Sequence, residues 1–121
     1  MEFSTNTPIY LQVVEEIKRM LVSGQLQPGE KLWSARDMAL RYKINPNTAA
    51  RVYKELEYQK LCFTKRGLGT YLTEEEGIAE RLKKEKAEQL MEEFVKTFSG
   101  LGYSKKEMQG FLEDYLSRMC D

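Results

Sequence analysis

Asn45, Asn47, Thr48 and Arg51 stand within seven positions of one another, and each has a side chain suited to reading the edge of a base. Asparagine can pair with adenine N6 and N7, and arginine can donate two parallel hydrogen bonds to guanine O6 and N7. Around them lie Lys43, Lys54, Lys65 and Arg66. Their charges suit either phosphate contacts, which add affinity without sequence information, or an ordinary solvated surface. Enzyme chemistry is not indicated. There is no histidine, no nucleophile with a base beside it and no loop of P-loop spacing, and the clusters Glu74-Glu75-Glu76 and Glu92-Glu93 fall on expected helix starts or solvent faces. Cys62 and Cys120 lie 58 positions apart with no C-x-x-C pair, so neither a disulfide framework nor a zinc site is indicated. No cofactor or metal is expected, and both thiols read as reduced bystanders.

The elements that position these residues follow from periodicity and punctuation. Pro8 can occupy a first helical position, with Ile9, Val13, Ile17, Met20 and Leu21 at helical spacing behind it, and Gly24 ends this helix at about Ser23. A loop with a Pro28-Gly29 turn then delivers a short extended piece, Lys31-Leu32-Trp33. Ser34 and Asp37 stand at capping-box spacing, which predicts a second helix to about Tyr42. Only Lys43, Ile44 and Asn45 separate the second helix from the third, a suitable length for the turn of a helix-turn-helix.

Asn45 is a good N-cap and Pro46 a good first residue for the third helix, on which Ala49, Val52, Tyr53 and Leu56 form the inward stripe. Asn47, Thr48, Ala50, Arg51, Lys54 and Glu55 are left facing solvent. The first turn of that face is small and uncharged, as a helix pushed end-on into a groove requires. Leu61–Lys65 and Thr70–Thr73 then read as a hairpin across Arg66-Gly67-Leu68-Gly69. Its glycines either bring backbone amides close to a phosphate or simply permit the turn. Helix, tight turn, helix and ribbon in this order make a winged helix-turn-helix, and the first hypothesis is DNA binding.

Charge supports that hypothesis once the chain is divided. The 121 residues carry no net charge, but residues 1–73 hold eleven basic against seven acidic side chains, a balance of +4, and residues 74–121 hold eight against twelve, a balance of −4. Within Lys31–Arg66 the count is nine to three, or +6. Such a swing fits a DNA-facing body with an acidic tail, although charged surfaces also vary this way. No stretch approaches the roughly eighteen apolar residues of a membrane span, and Met1–Asn6 lacks the regions of a signal peptide. A cytoplasmic protein without membrane contact is expected.

These motifs carry a resemblance. Pro8-Ile9-Tyr10, Gly24 to Leu32, Ser34-Ala35-Arg36, Asn45-Pro46-Asn47-Thr48, Tyr53-Lys54-Glu55-Leu56-Glu57 and Arg66-Gly67-Leu68-Gly69-Thr70-Tyr71, in this order, resemble the DNA-binding domain of the GntR family of bacterial transcriptional regulators. The short tail and the Asn-Pro-Asn-Thr turn resemble its small YtrA-type branch. Members of that branch tend to repress transporter operons and to dimerise through two C-terminal helices. The resemblance implies DNA contacts at Arg36, at Asn45, Asn47 and Thr48 on the recognition helix, and at the wing glycine Gly67, and Ser34 at the start of the second helix is a further candidate contact. Many members carry arginines where this chain has Pro46 and Ala50, which moves base reading to Arg51. Trp33, Ala35 and Leu68 also depart from the usual pattern, and they bear on which operator is chosen.

The tail has its own pattern. Thr73 with Glu76 predicts the start of a long fourth helix striped by Ile78, Leu82, Leu90, Met91, Phe94, Val95 and Phe98, and Ser104 with Glu107 predicts the start of a fifth, with Met108, Phe111, Leu112, Tyr115 and Met119 on one face. The expected fold is mainly α (α+β), a winged helix-turn-helix over residues 1–73 followed by an antiparallel two-helix dimerisation hairpin over residues 74–121. Apolar surface of this kind marks an interface, and a second copy is its simplest cover, with Leu90, Phe94, Phe98, Met108, Phe111, Leu112 and Tyr115 as the expected contacts. The same side chains could instead line a pocket for a small effector, which nothing in the sequence names. The expected partners are therefore a double-stranded DNA operator, near-palindromic, and a second copy of the chain. The rival reading is a winged helix used for protein interaction, docking a partner through the acidic tail.

Overall fold

A computed structural model describes residues 1–119 of the chain. Its elements are α1 (Ile9–Ser23), α2 (Ala35–Tyr42), α3 (Pro46–Tyr58), β1 (Cys62–Lys65), β2 (Gly69–Leu72), α4 (Ile78–Gly100) and α5 (Lys105–Ser117). The chain divides into two compact units, Met1–Leu82 and the segment from Lys83 onward.

In the first unit, Pro8 is the N-cap of α1 rather than its first helical residue, and its carbonyl accepts from the amides of Leu11 and Gln12. Val13, Val14, Ile17, Met20 and Leu21 turn inward, whereas Ile9, expected with them, stays exposed. Gly24, in the left-handed region with φ 83°, ends the helix at the expected place. Helix α2 starts where the Ser34 hydroxyl oxygen accepts from the Asp37 amide at 3.0 Å. It stops at Lys43, which takes a left-handed conformation with φ 53° without being a glycine. That conformation lets the Ile44 amide reach back to the Ala39 carbonyl at 3.0 Å and turns the chain into α3. On α3 the buried side chains are the four that periodicity indicates: Ala49, Val52, Tyr53 and Leu56.

The wing is an antiparallel pair with Cys62 opposite Leu72, Phe63 opposite Tyr71, Thr64 opposite Thr70 and Lys65 opposite Gly69. Lys31 bridges to Tyr71, and the Leu32 amide donates to the Thr70 carbonyl at 2.9 Å. The extended piece before α2 is thus stitched along the open edge of β2. Helices α1 to α3 and the wing share one core, in which Ile17, Met38, Leu56, Leu61 and Leu72 are among the fully buried side chains.

Two expectations are corrected in the linker. Thr73 and Glu76 do not cap a helix: the Thr73 hydroxyl oxygen accepts from the Glu75 amide at 3.2 Å in a short turn. Gly77, with φ 78°, interrupts the chain before α4 begins at Ile78. Ile78 and Leu82, assigned by their spacing to the tail, pack into the core of the first unit, so that unit extends beyond Thr73.

In the second unit, α4 ends at Gly100 and a turn through Gly102, with φ 95°, leads to α5. There the capping box is complete, with Ser104 Oγ accepting from the Glu107 amide and Glu107 Oε1 accepting from the Ser104 amide. Aromatic rings gather at this joint: Phe94 and Phe98 stack 4.2 Å apart, and Phe98, Tyr103 and Phe111 meet within 5.8 Å of one another.

Candidate nucleic-acid interface

The exposed side chains of α3 begin with its cap. Asn45 Oδ1 accepts from the Asn47 amide at 2.8 Å, which commits the oxygen that a bidentate contact with adenine would need. Asn45 is therefore a holder of the helix start whose free amide group can donate to a phosphate. Asn47 is exposed, one turn from Arg51, and Thr48 is half-buried beside it. Ser34 has the same division of labour at the start of α2. Its oxygen caps the helix and its proton remains available to donate, while Arg36 stands exposed in the first turn. Asp37 and Glu55 are the acidic side chains of these two helices closest in sequence to the expected readers. Glu55 is engaged by Gln59 Nε2 at 2.9 Å.

The remaining cations fall on two flanks of α3. On one side, Lys54 lines an open cleft of about 510 Å³ together with Ser34, Ala50, Tyr53, Leu68 and Gly69. Lys31 also lines it and was missed by sequence reasoning. Its stem passes so close to Gly69 that a Cβ there would lie 2.8 Å from Lys31 Cε, and Gly69 itself has φ 118°. The sequence places Gly69 in the turn; only the structure sets it at the start of β2, where a glycine marks a close approach. On the other side of α3, the Arg51 guanidinium lies 4.1 Å from the centre of the Tyr10 ring on α1.

At the wing, Lys65 Nζ sits 4.5 Å from the Tyr71 ring, which in turn stacks on Phe63. Arg66 and Leu68 project at the tip. Gly67 has φ 80° with nothing within 4 Å of where a Cβ would stand, so a side chain there is opposed by backbone conformation and not by crowding.

Two groups near the cleft are set by burial. Desolvation raises the Tyr53 phenol well above its ordinary value, and its hydroxyl donates to the Trp33 carbonyl, tying α3 to the segment before α2. Burial, aided by the charge of Glu57, pushes the Cys62 thiol up to about 12, so it stays protonated and unreactive at neutral pH. Cys120 lies outside the described residues. Among the described residues no acidic or thiol cluster has the arrangement of a metal site, and no helix is long and apolar enough to cross a membrane.

Residues 9–72 match the family model described as bacterial regulatory proteins, gntR family. The chain belongs to the GntR family. It is 42% identical over 107 residues to the uncharacterized HTH-type transcriptional regulator YhcF of Bacillus subtilis (strain 168), a match covering 88% of each chain. It is also 43% identical over 70 residues to the HTH-type transcriptional repressor YtrA of the same organism, covering 58% of this chain and 54% of that one. Among solved structures, a GntR family transcriptional regulator from Listeria monocytogenes superposes with a TM-score of 0.80 at 38% identity, over 93% of this chain and 98% of that one. The protein is thus a DNA-binding transcriptional regulator of this family.

The tail residues expected at a dimer interface separate into two groups. Met108 is buried and Phe94, Phe98 and Leu112 are half-buried within the single chain. Leu90, Phe111 and Tyr115 remain exposed, as do Met91, Val95 and Leu116.

Proposed function

We propose that this protein is a homodimeric repressor that occupies a near-palindromic operator, with Met1–Leu82 as the DNA-binding head and the segment from Lys83 onward as the dimerisation tail. The observation that carries the reading is the pairing of an uncharged, polar helix start on α3 with two helices whose apolar side chains lack cover in one protomer. A head of this size meets one half-site. Joining two heads through their tails places two α3 helices about 34 Å apart, or a multiple of it, on successive major grooves. In this reading Asn47 and Arg51 read bases, and Thr48 supports them. Ser34, Arg36, Asn45, Lys54, Lys65, Arg66 and the Gly67 tip hold phosphates. Repression follows from occupancy of a promoter, and the resemblance to the YtrA-type branch points to an operon of transporter type.

The test is a footprint of the purified protein on DNA upstream of its own operon. An inverted repeat protected symmetrically, with loss of protection at high salt, supports the reading. Protection of a single unpaired half-site by a protein that sediments as a monomer would sink it.

A further inference from the structure

Arg51 is held in an unusual way for a residue that must meet a base. A free arginine samples many rotamers, and a two-pronged contact demands one plane and one direction. A carboxylate partner could supply that order, but it would neutralise the charge and occupy the donors. Here Glu55, one helical turn ahead of Arg51, is engaged by Gln59 instead. The guanidinium carbon stands 4.1 Å from the centre of the Tyr10 ring, and none of the ion pairs among the described residues includes Arg51. A ring held against the flat face restrains the group while leaving its N–H edge free to donate.

The ring is itself anchored. Tyr10 lies in the first turn of α1 and packs half-buried against the core. The residues before it are strapped down by Gln12, whose Nε2 donates to the carbonyls of Ser4 at 2.9 Å and Thr7 at 2.8 Å, and whose Oε1 accepts from the Ser4 amide at 2.9 Å. Lys65 on the Tyr71 ring and Arg41, 4.4 Å from the centre of the Trp33 ring, show the same device elsewhere in the head. Aromatic seats order these cations without cancelling the positive field.

We infer that Tyr10, on α1 and outside the helix-turn-helix, is a positioning residue for base recognition, acting through Arg51. The inference rests on the reading that Arg51 faces the operator. The experiment is a double-mutant cycle of Tyr10→Ala and Arg51→Ala, with Tyr10→Phe and Tyr10→Leu alongside. Each protein is titrated against the operator and against variants with one half-site base pair changed at a time, and thermal unfolding checks each fold.

Arg51→Ala should flatten discrimination at one base pair. Tyr10→Ala and Tyr10→Leu should weaken discrimination at that same pair by about two- to fivefold, the worth of an exposed cation–ring contact, and leave the other positions unchanged. Tyr10→Phe should behave like the parent, and the double variant should be no worse than Arg51→Ala. If Tyr10→Phe is as poor as Tyr10→Ala, the hydroxyl matters and the inference is wrong. Effects that add fully, or that fall equally on all sequences, overturn it as well. If Arg51→Ala itself discriminates like the parent, the underlying reading of Arg51 has failed, a result distinct from a Tyr10 that fails to couple.

Discussion

The head and the tail are built from similarly spaced apolar residues, yet they end in opposite conditions. The head, Met1–Leu82, gathers nineteen buried side chains into one core. The tail buries Met108 alone among the described residues, and eight of its large apolar side chains stand at least 42% exposed. The difference arises from geometry. Three helices and a ribbon can surround a common centre, but the tail's rings cluster at the joint between α4 and α5 and leave the rest of both helices without cover. A hydrophobic stripe therefore announces that a face will be buried, without saying whether by the same chain or by another.

The head is most sensitive where it is fully packed. Leu56→Ala removes a side chain with no exposure and should cost about 2–5 kcal/mol of unfolding free energy, read from denaturant melts. A loss below about 1 kcal/mol would mean that the head is not the closed core described. In the tail the expected effect is of a different kind. Leu90 is 51% exposed, so Leu90→Asp should leave the melting of the head unchanged while placing a charge in the proposed dimer face. Sedimentation should then show monomers, with weaker binding to a two-half-site operator. An unchanged dimer would move the interface elsewhere.

Much of the head is legible in the sequence, because its signals are local. The inward residues of α3 follow from a 3.6-residue period bracketed by Asn45 and Pro46, and the end of α1 follows from Gly24. What escapes is set by partners distant in sequence or by backbone conformation. The left-handed turn at Lys43 is imposed by the short connection and carries no glycine to reveal it. The capping spacing of Thr73 and Glu76 is undone by Gly77, and Ile78 and Leu82 join the head because its core lies within reach. For the candidate site, the exposed polar side chains of α3 can be named from their spacing, but the seat of Arg51 on Tyr10 and the passage of Lys31 across Gly69 depend on α1 packing and on an edge pairing.

A smaller effect sharpens the division within the recognition surface. Asn45→Ala removes the cap of α3 and should cost about 1 kcal/mol of head stability. Because the Asn45 oxygen is committed to that cap, base preference should survive the change. A binding-site selection that shifts at one position in the variant would show that Asn45 reads a base after all.

The smallest expected change is at the wing. Lys65 is seated on Tyr71, beside the exposed tip, and faces no carboxylate within ion-pair distance among the described residues. A phosphate contact there contributes through counterion release, so Lys65→Ala should weaken binding to all sequences alike and lower the slope of log affinity against log salt by about 0.9 for each phosphate that is no longer neutralised. Titrations at several salt concentrations, with operator and unrelated DNA, measure both quantities. In the proposed dimer both wings contribute, and the slope should fall by about twice that amount, but only once when the tail is broken by Leu90→Asp. An equal fall in the two backgrounds would mean that the heads bind without regard to the tails, and the contrast between a self-sufficient head and a partner-seeking tail would lose its functional meaning.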